Sequence, residues 1–527
     1  MPGLPTETPL AAAPPRTGRS PRGPKDLGVK ITFIAVIAVL TILVILPLLQ
    51  VLLGAFGPKG LEVLSGALTN PINRRIIGNT MLLGVVVGAA GTLVGFIFAY
   101  VQVRLKLPGK KILNLIAMIP IVSPPFALAT SVITLFGRSG VISNQILGQE
   151  WNIYGMPGLT LVLGISFFPV AYMNFKGMLS NLDPSLDEAA ANLGASKLQT
   201  FVMVTLPMLL PGTLGSFMLL FVEAIADLAN PVVLGGDFTV LSARAYIAIA
   251  GEYNVAAGAA YSVQLLVPAL LVFLLQRYWV KRKSVVSVTG KPAGRAELIT
   301  APALRWPMGI AVYLLSAFIV VVYATVIVGG FVKNLGVNNT FTLDNFAYIL
   351  SGFGTKAMVD TTRLALIAMP LAGVFGIVVA WLVVRKLGRS SGWLDFLGML
   401  GVSVPGTVLG IGYALAFNVP TVIGGRQFLP ALAGGSAIFA GAIAIVMMYV
   451  ARSSPSAQRS GIASLQQIHP AIDEAATSLG ATSLVTFWKV TLPLIWPALL
   501  SGLIYAFSRS MVTLSPIIFI TLRARES

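Results

Sequence analysis

The sequence predicts an all-α, polytopic membrane protein: a helical bundle of two parallel, six-helix-type repeats with pseudo-twofold symmetry, the second lacking its last helix. Three observations carry this. Of 527 residues, 56% are hydrophobic and 10% charged, where a soluble domain carries about 25% charge. Eleven apolar runs are each long enough to cross, as a helix, a hydrocarbon core of about 30 Å. One cluster of loop residues is also written twice, at corresponding places. The absence of cysteine excludes disulfides, thiolate metal sites and thiol nucleophiles. A single histidine, His469, excludes histidine-rich metal cages and most histidine-based catalysis.

Residues 1–30, with seven prolines and five basic residues, read as a disordered tail. The run that follows is too long for a cleavable signal peptide and reads as a signal anchor. The eleven runs lie near 31–56, 79–102, 112–136, 158–175, 211–234, 256–276, 307–331, 364–384, 394–417, 431–451 and 498–521. Bare backbone is not tolerated against lipid, so each should be helical, with kinks at Pro124, Pro125, Pro169, Pro231 and Pro405. With the N-terminus inside, the inside segments collect 24 of the 36 Lys and Arg, the run 452–497 among them. This asymmetry predicts a cytoplasmic N-terminus and makes the net charge of +18 a topology signal. Nucleic acid is therefore not an expected partner; membrane lipid is.

Residues 187–211 and 473–497 are identical at 15 of 25 positions without a gap. Upstream, Asn79-Thr80 matches Asp360-Thr361, Gly95 matches Gly376, Arg104 matches Arg385 and Pro124 matches Pro405. Six helices separate the two loops, so both face the cytoplasm and the repeats run parallel. The expected domains are a first membrane domain over 31–280, a basic linker over 281–305 with Lys281, Arg282 and Lys283, and a second membrane domain over 306–527. After Pro516, which matches Pro231, eleven residues remain, so the second repeat is expected to lack its twelfth helix, as in a truncated or frameshifted sequence. Each repeated loop predicts a helix, a strained turn at Gly194 or Gly480 and a second short helix halted by Pro207 or Pro493. Such a compact unit leaves apolar side chains for a groove on another protein.

Glu188-Ala189-Ala190, then Gly194, then Leu206-Pro207, resembles the EAA loop of permease subunits of binding-protein-dependent ABC importers. Glu474-Ala475-Ala476, Gly480 and Leu492-Pro493 repeat it in full. The resemblance covers nearly the whole chain. It implies that these loops are coupling helices docking into two copies of an ATP-binding subunit, and that an external solute-binding protein delivers cargo. It implies residence in the plasma (inner) membrane of a prokaryote. The fused arrangement, with 166–190 and 227–241, is most similar to the ferric iron permeases; relatives for 2-aminoethylphosphonate, thiamine or polyamines share the architecture.

Glu223 and Asp227 lie on one face of a predicted span, where a charge should face the bundle interior or water. Shifting Glu223 by 286 positions lands on Arg509, so a Glu223–Arg509 pair is expected across the two halves, as a gate or as a static lock. Asp227 matches uncharged Thr513 and is left to local hydrogen bonding or to cargo. His469 reads as a surface residue. No phosphate loop occurs; Thr289-Gly290-Lys291-Pro292 lacks both the spacing and the hydroxyl. The chain is thus expected to be non-catalytic and to bind no cofactor or metal, with ATP and magnesium on the partner subunit. An ion-coupled secondary transporter is the rival class; it would usually spread its acids over several helices.

Overall fold

The computed structural model describes residues 27–280, 298–388, 391–423, 426–434 and 438–521. The basic cluster Lys281, Arg282 and Lys283, most of the expected tail and linker, and Arg523 and Arg525 lie outside the described residues. Among those described, eight helices are long and apolar enough to cross a membrane, or up to ten if each of two bent pairs is one span. The eight are Leu27–Ala55, Pro71–Arg104, Phe126–Ile146, Met156–Ser180, Lys197–Ala226, Val255–Tyr278, Pro302–Gly330 and Gly354–Lys386. Two short hairpins, Val332–Asn334 with Asn338–Phe341 and Thr421–Ile423 with Arg426–Leu429, are the strands. The chain is a polytopic all-α membrane protein.

Four expected spans are broken, and the breaks come in matched pairs. The helix Lys110–Val122 stops at extended Ser123-Pro124 before Pro125–Phe136 begins. In the second repeat Ser391–Ser403 and Gly406–Phe417 meet at 96° across Val404-Pro405. The cause is local: a proline drives the residue before it out of helical conformation and offers no N–H to the preceding turn. The run 211–234 ends as a helix at Ala226, passes through extended Asp227 and resumes at Ala229–Leu234. Its counterpart ends at Val512, passes through extended Thr513 and resumes at Ile517–Thr521.

Two other expectations are corrected. The run 431–451 is α-helical only from Ala442, after a 3-10 turn at Ile438–Gly441, and that helix continues to Gln467, so Arg452 and Arg459 are helical rather than loop residues. Pro207 does not halt its helix. A π-turn at Phe201–Thr205 widens the helix just before it, and Lys197–Ala226 forms one span. In the second copy the same π-turn, Phe487–Thr491, is followed by a break at Ile495.

Within each repeat the longest contact is between the two helices that carry the matched glycine and its partner. A Cβ on Gly95 would sit 2.7 Å from the Ala171 Cβ and 2.9 Å from the Phe168 carbonyl oxygen; one on Gly376 would sit 2.7 Å from the Ala457 Cβ. Ala171 and Ala457 are themselves repeat mates, so the same close crossing is built twice. Packing of this kind replaces the hydrophobic drive that lipid cannot supply.

The first helix of each repeat is exchanged. Val29, Val36 and Leu40 pack with Ile377, Trp381, Leu465 and Phe487 of the second repeat. Val312, Ile319 and Val322 pack with Leu107, Leu113, Leu128 and Val132 of the first. Tyr313 fixes that crossing by donating to the Pro108 carbonyl at 2.8 Å. The halves are therefore interlocked as well as apposed.

Candidate functional site

The first repeated loop is the helix Pro184–Asn192, capped by Asp183 through the Ser185 N–H, a turn, and the start of the next helix at Lys197. Its turn closes with Ala195 N–H donating to the Ala190 carbonyl at 3.0 Å and Gly194 at φ +80°. The second loop repeats this with Ala471–Ser478, Ala481 N–H donating to the Ala476 carbonyl at 3.1 Å, and Gly480 at φ +85°. Only glycine adopts this left-handed position without cost. Glu188, Ala189, Glu474 and Ala475 are exposed, while Ala190 and Ala476 are half-buried. Leu206, Pro207 and Pro493 are exposed and Leu492 is half-buried. The leucine before each glycine stands almost free: Leu193 is 89% exposed and Leu479 88%.

Each loop is tied to its repeat by an ion pair that reading the sequence did not connect. Buried Arg104, at the end of Pro71–Arg104, donates Nη1 to Asp187 Oδ2 at 2.5 Å. Arg385 Nε lies 3.1 Å from Asp473 Oδ2, and its Nη2 also reaches the Leu465 and Ile468 carbonyls. The signal was present, because Arg104 and Arg385 match, as do Asp187 and Asp473. The link between the pairs needed the fold. His469 is exposed and accepts from the Ala471 N–H at 3.2 Å, so it serves the start of the second loop's helix.

The second part of the site is a cavity of about 200 Å³ on the seam between the repeats. All four paired helix breaks supply its wall, through Pro124, Gly406, Asp227 and Thr513. Broken helices facing a cavity expose backbone groups where lipid would not tolerate them. Glu223 and Arg509 line it, with Arg509 Nη2 3.8 Å from Glu223 Oε1. Asp227 accepts from Asn230 N and Nδ2 and also lines the cavity. Arg452, counted among loop charges on sequence grounds, lines it too, and donates Nη1 to the Val404 carbonyl at 2.9 Å. It lies 286 positions after Ser166, another lining residue. Both acids come from the first repeat and both arginines from the second.

Residues 91–285 and 372–525 match the family described as binding-protein-dependent transport system inner membrane component. The chain belongs to that family. Each matched stretch contains one loop, its ion pair and one half of the seam, while the exchanged helices Leu27–Ala55 and Pro302–Gly330 fall outside both. This inner membrane component is 35% identical over 459 residues to the ferric transport system permease protein FbpB of Actinobacillus pleuropneumoniae, covering 85% of this chain and 64% of that protein. It is 34% identical over 466 residues to a putative ferric transport system permease protein of Haemophilus influenzae, covering 86% of this chain and 71% of that protein. A molybdenum transport system permease protein of Escherichia coli is 28% identical over 137 residues, 25% of this chain and 59% of that protein. These relatives are transport permeases, so the family places this chain among multi-pass membrane transport components.

Proposed function

We propose that this chain is the permease subunit of an ATP-driven importer of ferric iron, supplying both halves of the translocation path. The observation that carries the proposal is the pair of matched loops, each held by the same arginine–aspartate tie and each presenting a bare leucine before its glycine. An exposed leucine on a rigid turn is poised for an apolar groove on a partner, and two equal copies fit two copies of one ATP-binding subunit. ATP and magnesium belong to that subunit; this chain binds no cofactor. An external solute-binding protein delivers cargo from the side opposite the loops, the N-terminus is cytoplasmic, and the linker 281–305 joins the functional halves 31–280 and 306–527. Iron is favoured over phosphonate, thiamine or polyamine by the names of the relatives aligned with most of the chain.

In this scheme closure of the ATPase pair moves the two loops together, and the ties pass the movement to the long helices ending at Arg104 and Arg385. The seam at Glu223–Arg509 opens and closes with that movement. Only partners with different affinity for the two arrangements can drive such a shift. Because the chain has no cysteine, Leu193→Cys and Leu479→Cys each create a unique attachment point. Crosslinks from both positions to an ATP-binding subunit, together with iron uptake into proteoliposomes only when that subunit, ATP and the binding protein are present, are the expected results. Uptake driven by an ion gradient alone would overturn the ATP-driven reading, and uptake of another cargo would overturn the iron reading alone.

A further inference from the structure

We infer that cargo crosses the seam with an oxyanion still attached to the metal, the anion facing Arg452 and Arg509 and the metal facing Glu223 and Asp227. The inference rests on the proposal that the cargo is ferric iron. Its basis is the sidedness of the charge around the cavity. Two guanidinium groups come from one repeat and two carboxylates from the other, all lining the same space of about 200 Å³.

A bare trivalent cation is a poor fit to this wall. Desolvation cost rises with the square of the charge, and repayment must come from ligands or counter-charges at close range. Among the described residues no group of three or more His, Cys, Asp or Glu is placed to hold a metal ion. Two carboxylates cannot fill the coordination shell of a hard cation that takes many oxygen donors. Asp227, moreover, already accepts two hydrogen bonds from Asn230. The iron must therefore carry oxygen ligands with it.

The arginines fit such ligands. Guanidinium groups are suited to paired, planar recognition of phosphate and carboxylate oxygens. Arg452 spends Nη1 on the Val404 carbonyl and lines the cavity beside Arg509. Arg509 meets Glu223 only at 3.8 Å, beyond hydrogen-bond length, and is free to exchange that contact for an anion. When the repeats part, the seam presents a cationic wall and an anionic wall facing each other, which matches a metal–anion pair and neither ion alone.

The test is double-label uptake into proteoliposomes holding the complete complex, with radioactive iron supplied alongside either ³²P-phosphate or ¹⁴C-citrate. The expected result is ATP-dependent accumulation of one of the two anion labels in fixed proportion to iron; which label accumulates identifies the anion. Iron accumulation without either label would overturn the inference and leave the ferric importer standing. Accumulation of neither iron nor anion would overturn the importer reading and the inference with it. Arg452→Gln is expected to lower uptake of both labels at least tenfold while the complex still assembles, and Arg452→Lys to recover part of the loss. Full uptake by Arg452→Gln would overturn the role given to this residue.

Discussion

The twin loops and the seam answer to the same duplication in opposite ways. At the loops the copies stay alike: Arg104 and Arg385, Asp187 and Asp473, Leu193 and Leu479, Gly194 and Gly480. At the seam the mates diverge: Glu223 stands against Arg509, Asp227 matches Thr513 and Ser166 matches Arg452. The difference follows from geometry. If each loop grips its own copy of one partner, as proposed, likeness is favourable. Seam residues lie near the pseudo-twofold axis, where a residue meets its own mate. Two like charges there would repel in a weakly screened interior, so a charge near the axis survives duplication only if its mate becomes neutral or opposite. Likeness marks contact with identical partners, and complementarity marks contact between the halves.

The largest effect is expected from forcing likeness onto the seam. Glu223→Arg would place three guanidinium groups around one cavity. Losing one member of a buried pair costs about 3–5 kcal/mol. Here both side chains keep 30% exposure, so about 2 kcal/mol, some 30-fold in transport, is the expected loss. Joining it with Arg509→Glu should restore a good part of the uptake, while co-purification of the ATP-binding subunit stays unchanged throughout. A single variant as active as the parent would remove the seam from the transport cycle.

Next comes the opposite manoeuvre, breaking likeness at the loops. Leu193→Glu and Leu479→Glu each put a charge into the contact that two equal sites are proposed to make. Each is expected to weaken ATPase binding by about tenfold, roughly 1–2 kcal/mol for one apolar anchor. The double variant should abolish ATP-dependent uptake. Equal single effects would support two equivalent sites; a large loss from one and none from the other would refute them.

Much of this was legible in the sequence, and what was not has a common cause. Apolar runs located the helices, and an ungapped match located both loops and their glycine turns, because these signals are local. Gly95 and Gly376 stood out as matched, but their close approach to Ala171 and Ala457 depends on which helices cross. The helix breaks at Ser123-Pro124 and Val404-Pro405 fall at prolines, whereas those at Asp227 and Thr513 lie four and three residues before Pro231 and Pro516, and the sequence marks a kink only at Pro231. Arg452 was misread because it follows an apolar run whose helical part starts only at Ala442. The exchange of the first helices could not have been read, since Val36 and Val312 look like any other lipid-spanning residues until their neighbours are known.

A subtler pair of variants sharpens the comparison within the loops themselves. Asp473 is 23% exposed and also accepts from Thr491, while Asp187 is 35% exposed and among the described residues pairs with Arg104. Asp473→Asn should therefore loosen its loop more than Asp187→Asn, by about 1–2 kcal/mol against about 0.5–1 kcal/mol after solvent screening. Hydrogen exchange across Ala471–Ser478 and Pro184–Asn192 measures both, and a reversed order would mean that the carbonyl contacts of Arg385 hold the second loop without the aspartate.

The most symmetrical effect is expected at the two glycine turns. A Cβ on Gly194 or Gly480 would meet nothing within 4 Å, so alanine there costs only the left-handed backbone, at φ +80° and +85°. That is about 1–2 kcal/mol at either position. Because neither turn leans on a neighbour, Gly194→Ala and Gly480→Ala should loosen their loops equally, even though one loop is held more firmly by its aspartate than the other. Equal loosening by hydrogen exchange separates strain belonging to the turn from support belonging to the repeat. Unequal loosening would show that the tie at Asp187 or Asp473 reaches the glycine, and that turn and tie act as one unit.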